Sequence, residues 1–189
     1  MAPLPGPREE HQLRQIAETV RIADGRGITL WLRGGWAMDF HLGEVTRPHG
    51  DIDWFARVQD APLLADALLG HGYRPVPGPP PDLQLDFEKE GLESSFTLVD
   101  RDAQGRVVVA GGPWKGEPWP AGMLDPDAGP GRLGDVSCPI VAPRAQIEIK
   151  RMMPVWDPSR PRRPKDAADI ARLEAALRAE GERAEEERG

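Results

Sequence analysis

The sequence predicts an α+β fold in which helices flank a mixed β-sheet and two helices close the chain. Three observations predict it. Apolar residues recur at helical spacing near both ends, at Leu13, Ile16, Val20 and Ala23 and again at Ile170, Leu173, Ala176 and Leu177. Between them lie short apolar or alternating runs of strand length, such as residues 28–32 and 83–87. The order is helix, strand, helix, strand, helix, several strands, then helices, which matches a mixed sheet flanked by helices. At 189 residues the chain suits one compact unit able to bury a real core. We divide it into a core, residues 1–142, and a helical segment, residues 143–189, packed on that core.

The elements follow in order. Residues 1–7 (MAPLPGP) form a loose proline-rich lead. A helix over residues 9–24 is stopped by Gly25-Arg26-Gly27, and residues 28–32 form a buried strand. Gly34-Gly35 makes the next turn, and a helix from residue 36 to 42 ends at Gly43. Residues 51–57 read as a second strand. Residues 62–69 form a short helix, with Asp60 as N-cap and Pro62 in the first turn. Residues 73–76 form a short strand before a proline turn. Leu83, Leu85 and Phe87 then alternate with Gln84, Asp86 and Glu88, a half-buried strand. Gly91 turns the chain into a strand over residues 92–99, and residues 106–110 add another. Residues 111–130, rich in Gly, Pro and Trp, form an ordered loop. A last strand covers residues 136–141, and helices cover residues 143–153 and 164–180.

Composition limits the function. A net charge of -7 argues against a nucleic-acid partner and suits a cationic small molecule. Much of the acidity lies in residues 180–188, a fraying helix end. The lone Cys138 leaves no internal disulfide and no cysteine-rich zinc site. It reads as a small buried apolar residue. No secretory signal is visible and no apolar run approaches membrane-spanning length, so a cytoplasmic protein without a membrane partner is expected. Trp114 and Trp119 can stack on a base or sugar, but loop packing is the simpler reading.

Asp51 and Asp53 carry the sharpest chemical signal. Residues two apart on a strand point to one face. Two such carboxylates can share a pair of magnesium ions roughly 3.5 to 4 Å apart. Magnesium takes hard oxygen ligands and leaves positions for water or phosphate. Upstream, Gly34-Gly35 lies between a strand and a helix. Glycine lets backbone approach phosphate oxygens, and a helix N-terminus favours their charge. Each half alone is weak; surface carboxylates and plain turns look the same.

Gly34-Gly35-Trp36, Asp39, Gly43, Thr46-Arg47, His49 and Asp51-Ile52-Asp53 together resemble the nucleotidyltransferase superfamily with the polymerase-beta-like fold. More narrowly they resemble antibiotic nucleotidyltransferases of the aminoglycoside 2''-adenylyltransferase type. Weaker similarity continues through Ser95-Phe96-Thr97 and through Arg163-Pro164-Lys165-Asp166 with Asp169-Ile170. The resemblance implies an enzyme that moves a nucleoside monophosphate from ATP or another nucleoside triphosphate to a hydroxyl of a small antibiotic, most simply an aminoglycoside, with a lincosamide or another natural product as the alternative. Two Mg2+ ions would be held by Asp51, Asp53 and a third carboxylate. Glu93 is the favoured third and Asp86 its competitor. Gly34 and Gly35 would contact phosphates, joined by Arg47, His49 and Lys150. Loop, structural and solvent-facing roles are also open for the last three. Asp39 would brace the site, His41 would lie at the surface and Asp166 would cap or salt-bridge the last helix. Glu88, Glu90 and Asp100 are expected to form an acidic wall for a cationic antibiotic.

Two competing readings keep the fold. One is transfer to a protein or tRNA, as in toxin and antitoxin systems; acidity opposes tRNA. The other is a nucleotide-binding relative without turnover. Oligomeric state, monomer or homodimer, is open.

Overall fold

The computed structural model describes residues 6–188. Helix α1 (Pro7–Asp24) is followed by strand β1 (Leu30–Arg33), helix α2 (Gly34–Leu42) and strand β2 (Ile52–Arg57). Helix α3 (Ala61–Gly70) leads to strands β3 (Arg74–Pro75), β4 (Gln84–Lys89), β5 (Leu92–Arg101) and β6 (Val107–Val109). Strands β7 (Pro130–Leu133) and β8 (Val136–Pro139) form a separate hairpin, and helices α4 (Pro143–Trp156) and α5 (Pro164–Glu186) close the chain. No helix among the described residues is long and apolar enough to cross a membrane.

The main sheet runs β1-β2-β5-β4-β3, with β6 added to the far end of β5. Only β2 and β5 run parallel; every other pair in it is antiparallel. The expected mixed sheet flanked by helices is therefore what forms. One face is apolar along its length. Leu30, Leu32, Trp54, Phe96 and Leu98 lie on it and pack with Ile16 and Ile22 of α1 and Leu64 and Leu68 of α3. The opposite face divides by position. One end carries a smaller apolar cluster of Trp31, Phe55, Val99, Met123, Leu124, Val141 and Ala145. The other end is polar, and there the register aligns Arg33 with Asp53, Asp53 with Ser95, and Ser95 with Asp86. A period of two residues per strand makes this row share one face.

The C-terminal helices pack onto α2. Met38 meets Ile147 of α4 and Leu173 of α5, with Leu42, Ile170 and Leu177 around them. This brings α4 and the start of α5 over the polar end of the sheet.

Several boundaries differ from expectation. Helix α1 begins at Pro7, because proline at a helix start lacks only a donor that would be unpaired anyway. Residues 1–5 of the expected proline-rich lead lie outside the described residues. Asp60 precedes α3 but makes no side-chain cap. Strand β7 arises at the end of the Gly-Pro loop, where its pairing with β8 overrides its poor strand composition. Helix α5 extends to Glu186 and takes in most of the acidic tail read as frayed.

Candidate active site

The loop between α2 and β2 is pinned by buried polar contacts. Asp39 of α2, fully buried, accepts hydrogen bonds from Thr46 Oγ1 at 2.6 Å and from His49 Nε2 at 2.6 Å. Arg47 Nη1 lies 3.0 Å from His49 Nδ1. An arginine can only donate, so His49 Nδ1 accepts and the ring proton sits on Nε2, facing Asp39. Trp36 packs its ring 4.5 Å from His49, and Gln12 of α1 donates to the His49 carbonyl. Arg47 donates twice to Asp169 of α5, at 3.1 and 2.8 Å. Lys150 of α4 donates to the same carboxylate at 2.9 Å. Burial would raise the pKa of Asp169, but the hydrogen bonds from Arg47 and Lys150 outweigh it and hold the carboxyl down to about 2.

That scaffold presents Asp51 and Asp53 to a cleft of about 540 Å³ beneath α4. Among the described residues neither carboxylate takes a hydrogen bond or an ion pair. Burial pushes the Asp53 carboxyl up, Arg33 pulls it back, and the nearby Asp51 and Asp86 charges add to the rise. Gly34 has a φ of +69°, and a Cβ there would stand 3.0 Å from Asp53 Oδ2. Glycine thus lets the carboxylate lie against the backbone at the start of α2.

The same cleft also carries positive charge. Arg33, Lys150, Arg160 and Arg163 line it together with Asp166. Arg33 is the deepest. Its guanidinium lies 4.3 Å over the Phe55 ring and donates to Thr97 Oγ1 at 2.8 Å. Burial lowers its pKa, while Asp53 and Asp51 hold it up. Arg163 pairs with Asp166 at 2.9 Å in the capping box that opens α5. Asp166 therefore does both jobs expected of it.

Some expected residues fall elsewhere. Glu93 is exposed, registers with Glu88, and does not line the cleft. The β5 residue aligned with Asp53 is Ser95, so the expected third ligand is corrected: a serine stands beside the pair. Asp86 shares the row but lies one strand further, accepts a hydrogen bond from Gln84 at 2.8 Å and also stays out of the lining. No group of three or more His, Cys, Asp or Glu side chains among the described residues is placed to hold a metal ion. His49, 5 % exposed, and Arg47, paired with Asp169, hold the loop together, and neither lines the cleft. Gly35 serves the same scaffold, since a Cβ on it would collide with the His49 ring. Lys150 does line the cleft, with its ammonium shared with Asp169. His41 is largely covered rather than at the surface, its Nε2 3.3 Å from Glu180. The acidic wall does not form. Glu88 pairs with Arg74, Glu90 with His11, and Asp100 sits at the far end of β5.

Sequence reasoning overlooked Arg33 and Arg160 as site residues. The run Arg160-Pro161-Arg162-Arg163 carried a usable signal, a cluster of positive charge in a chain that is acidic overall. Arg33 had none beyond its place next to Gly34.

A divalent cation fits this donor set. Asp53 is largely withdrawn from water and Asp51 is exposed, neither has a side-chain partner among the described residues, and such a pair binds magnesium when substrate phosphates supply the remaining ligands.

Residues 13–79 match the family of aminoglycoside-2''-adenylyltransferases. Two 2''-aminoglycoside nucleotidyltransferases, from Klebsiella pneumoniae and Escherichia coli, are each 50% identical to the chain over 42 residues, which is 22% of this chain and 24% of the relative. The aligned segment thus spans about a quarter of those relatives. The crystal structure of ANT(2")-Ia in complex with adenylyl-2"-tobramycin superposes with a TM-score of 0.70 at 22% identity, covering 90% of this chain and 92% of that one. The lincomycin-bound lincosamide antibiotic adenylyltransferase LnuA superposes at 0.67 and 18% identity, covering 86% and 96%. The fold is therefore that of the polymerase-beta-like nucleotidyltransferases, and the segment shared with the 2''-adenylyltransferase family includes the aspartate pair.

Proposed function

We propose that this chain, which resembles the aminoglycoside-2''-adenylyltransferases in sequence over residues 13–79 and has the nucleotidyltransferase fold, transfers a nucleoside monophosphate from ATP or another nucleoside triphosphate to a hydroxyl of a small antibiotic. One observation carries the reading. Asp51 and Asp53, unpartnered among the described residues, line a single cleft together with Arg33, Lys150, Arg160 and Arg163. Carboxylates for a metal and cations for phosphate oxygens are what such a reaction needs.

Bound magnesium would neutralise triphosphate charge and hold its oxygens for in-line attack. The chain's own residues do the rest. Asp51 and Asp53 would hold the metal. Arg33, Arg160 and Arg163 balance negative charge on the phosphates, and Lys150 adds to this from α4. The acceptor oxygen forms its bond to the α-phosphorus, the bond from that phosphorus to the bridging oxygen breaks, pyrophosphate leaves, and the hydroxyl proton passes to water. Positioning and charge balance, in a site partly closed to water, supply the rate. A triphosphate and magnesium requirement suits a cytoplasmic enzyme.

Magnesium-dependent pyrophosphate release with an acceptor present is the test. Asp51→Asn or Asp53→Asn should abolish it, a loss of at least about a hundredfold, while the circular dichroism spectrum stays unchanged. Release that survived either substitution would sink the reading. The serine beside Asp53 favours one alternative, nucleotide binding without turnover. Tight magnesium-dependent nucleotide binding with no release for any acceptor would establish that instead.

A further inference from the structure

We propose that the acceptor binds in an aromatic cavity beside the catalytic cleft, and that it is a hydroxylated compound with an apolar face and at most one positive charge. This rests on the nucleotidyl-transfer reading above. The cavity, of about 420 Å³, opens directly off the cleft and shares Arg33, Gln84, Thr97, Met153 and Arg160 with it. A group held there can reach a phosphate at Asp51 and Asp53. The volume suits a drug-sized ligand, and a single nucleobase would leave most of it empty.

Its walls are apolar. Trp114, Trp119 and Trp156 line it. Trp114 and Trp156 are 41% and 36% exposed, so two large ring surfaces face the opening. Trp119 is fixed edge-on between Phe55, at 5.1 Å, and Trp156, at 6.2 Å. Such rings bind an apolar face and reward it with buried area.

Charge sets the second condition. The shared mouth carries two guanidiniums, Arg33 and Arg160. Of the two carboxylates in the lining, Asp157 lies 3.4 Å from Arg160 and accepts from Ser159. Glu117 has no side-chain partner among the described residues. One free carboxylate balances one ammonium. A polycation would set its further charges against the arginines, and like charges at close range cost affinity and specificity. The carboxylates first read as a wall for such a ligand, Glu88, Glu90 and Asp100, all lie outside this cavity.

Calorimetry on the full chain with magnesium and a non-hydrolysable ATP analogue tests the proposal, using lincomycin as the apolar monocation and tobramycin as the polycation. Lincomycin is expected to bind at least about tenfold more tightly than tobramycin. Trp114→Ala and Glu117→Gln should each weaken lincomycin by about tenfold and leave analogue affinity unchanged. Both side chains are exposed, so neither change removes core packing. Failure of lincomycin to bind overturns the proposal. So does tobramycin binding of equal strength that ignores both substitutions. Loss of analogue affinity in Trp114→Ala would give the cavity to the nucleobase and also overturn it. In each of these cases magnesium-dependent analogue binding leaves nucleotidyl transfer standing; absence of that binding removes both.

Discussion

A Cβ on Gly35 would run into the His49 ring and stand 2.7 Å from an Arg47 nitrogen. Neither neighbour can retreat cheaply, because Asp39 fixes the ring and Asp169 fixes the guanidinium. Gly35→Ala should therefore destabilise the fold by about 1 to 3 kcal/mol, the usual cost of overpacking. It should also displace the loop that delivers Asp51. The matched control is Gly27→Ala, where the strain is conformational alone, since nothing stands within 4 Å of that Cβ. Thermal unfolding followed by circular dichroism compares the two. A Gly35→Ala protein that melts with the parent would show that the loop gives way easily, against the packing argued here. The same contacts explain why His49 belongs in the sequence pattern without touching a ligand: it is the peg that loop residues close around.

Register, not composition, decides which carboxylates meet. Strands β2 and β5 run parallel with Asp53 opposite Ser95, so Glu93 lies one step of two residues away from that row. The alternation of the polar face, Glu93, Ser95 and Thr97, was legible in the sequence, because period two survives any register. The pairing partner of Asp53 was not, because a slide of two residues keeps the same face and changes only the row. The Gly34 turn and the strand carrying Asp53 depend on local geometry and were legible, although Asp51 stands just before β2, which begins at Ile52. The pairing of Arg47 with Asp169 joins residues 122 apart in the chain, which no local pattern encodes. Two substitutions follow at this scale. Glu93→Gln should leave pyrophosphate release within about twofold of the parent, as expected of a surface position. Ser95→Asp, which adds a carboxylate in the row of Asp53, should tighten magnesium binding by about tenfold, the worth of one added charged ligand. A pyrophosphate-release assay reads the first, and titration with magnesium, followed by the shift in melting temperature, reads the second. Unchanged affinity in Ser95→Asp would mean that the row does not face the metal.

At the scale of the molecule, Asp169 joins pieces that are far apart in sequence. Arg47 reaches it from the loop before β2, Lys150 from α4, and its own helix is α5. These are the elements that enclose the cleft, so one buried carboxylate ties the roof to the floor. Asp169→Asn would leave two cations without their buried partner, at a cost of about 3 to 5 kcal/mol. The pH dependence has a definite sign. The folded pKa is about 2 against an ordinary value of 3.8, so the folded state holds this carboxylate ionised more firmly than the unfolded chain does. Its contribution is complete above the unfolded value and is lost as pH falls through the folded one. That difference corresponds to about 2 kcal/mol. Urea unfolding at pH 7, 4, 3 and 2 should show the parent losing stability over the last two steps, from pH 4 to pH 2. Asp169→Asn should be weaker at pH 7 and flatter in that range, because the titrating group is gone. If both proteins lost stability in parallel from pH 4 to pH 2, the acid sensitivity would belong to other carboxylates. Asp166, whose pKa is also lowered beside Arg163 and Lys150, would then be the next to replace.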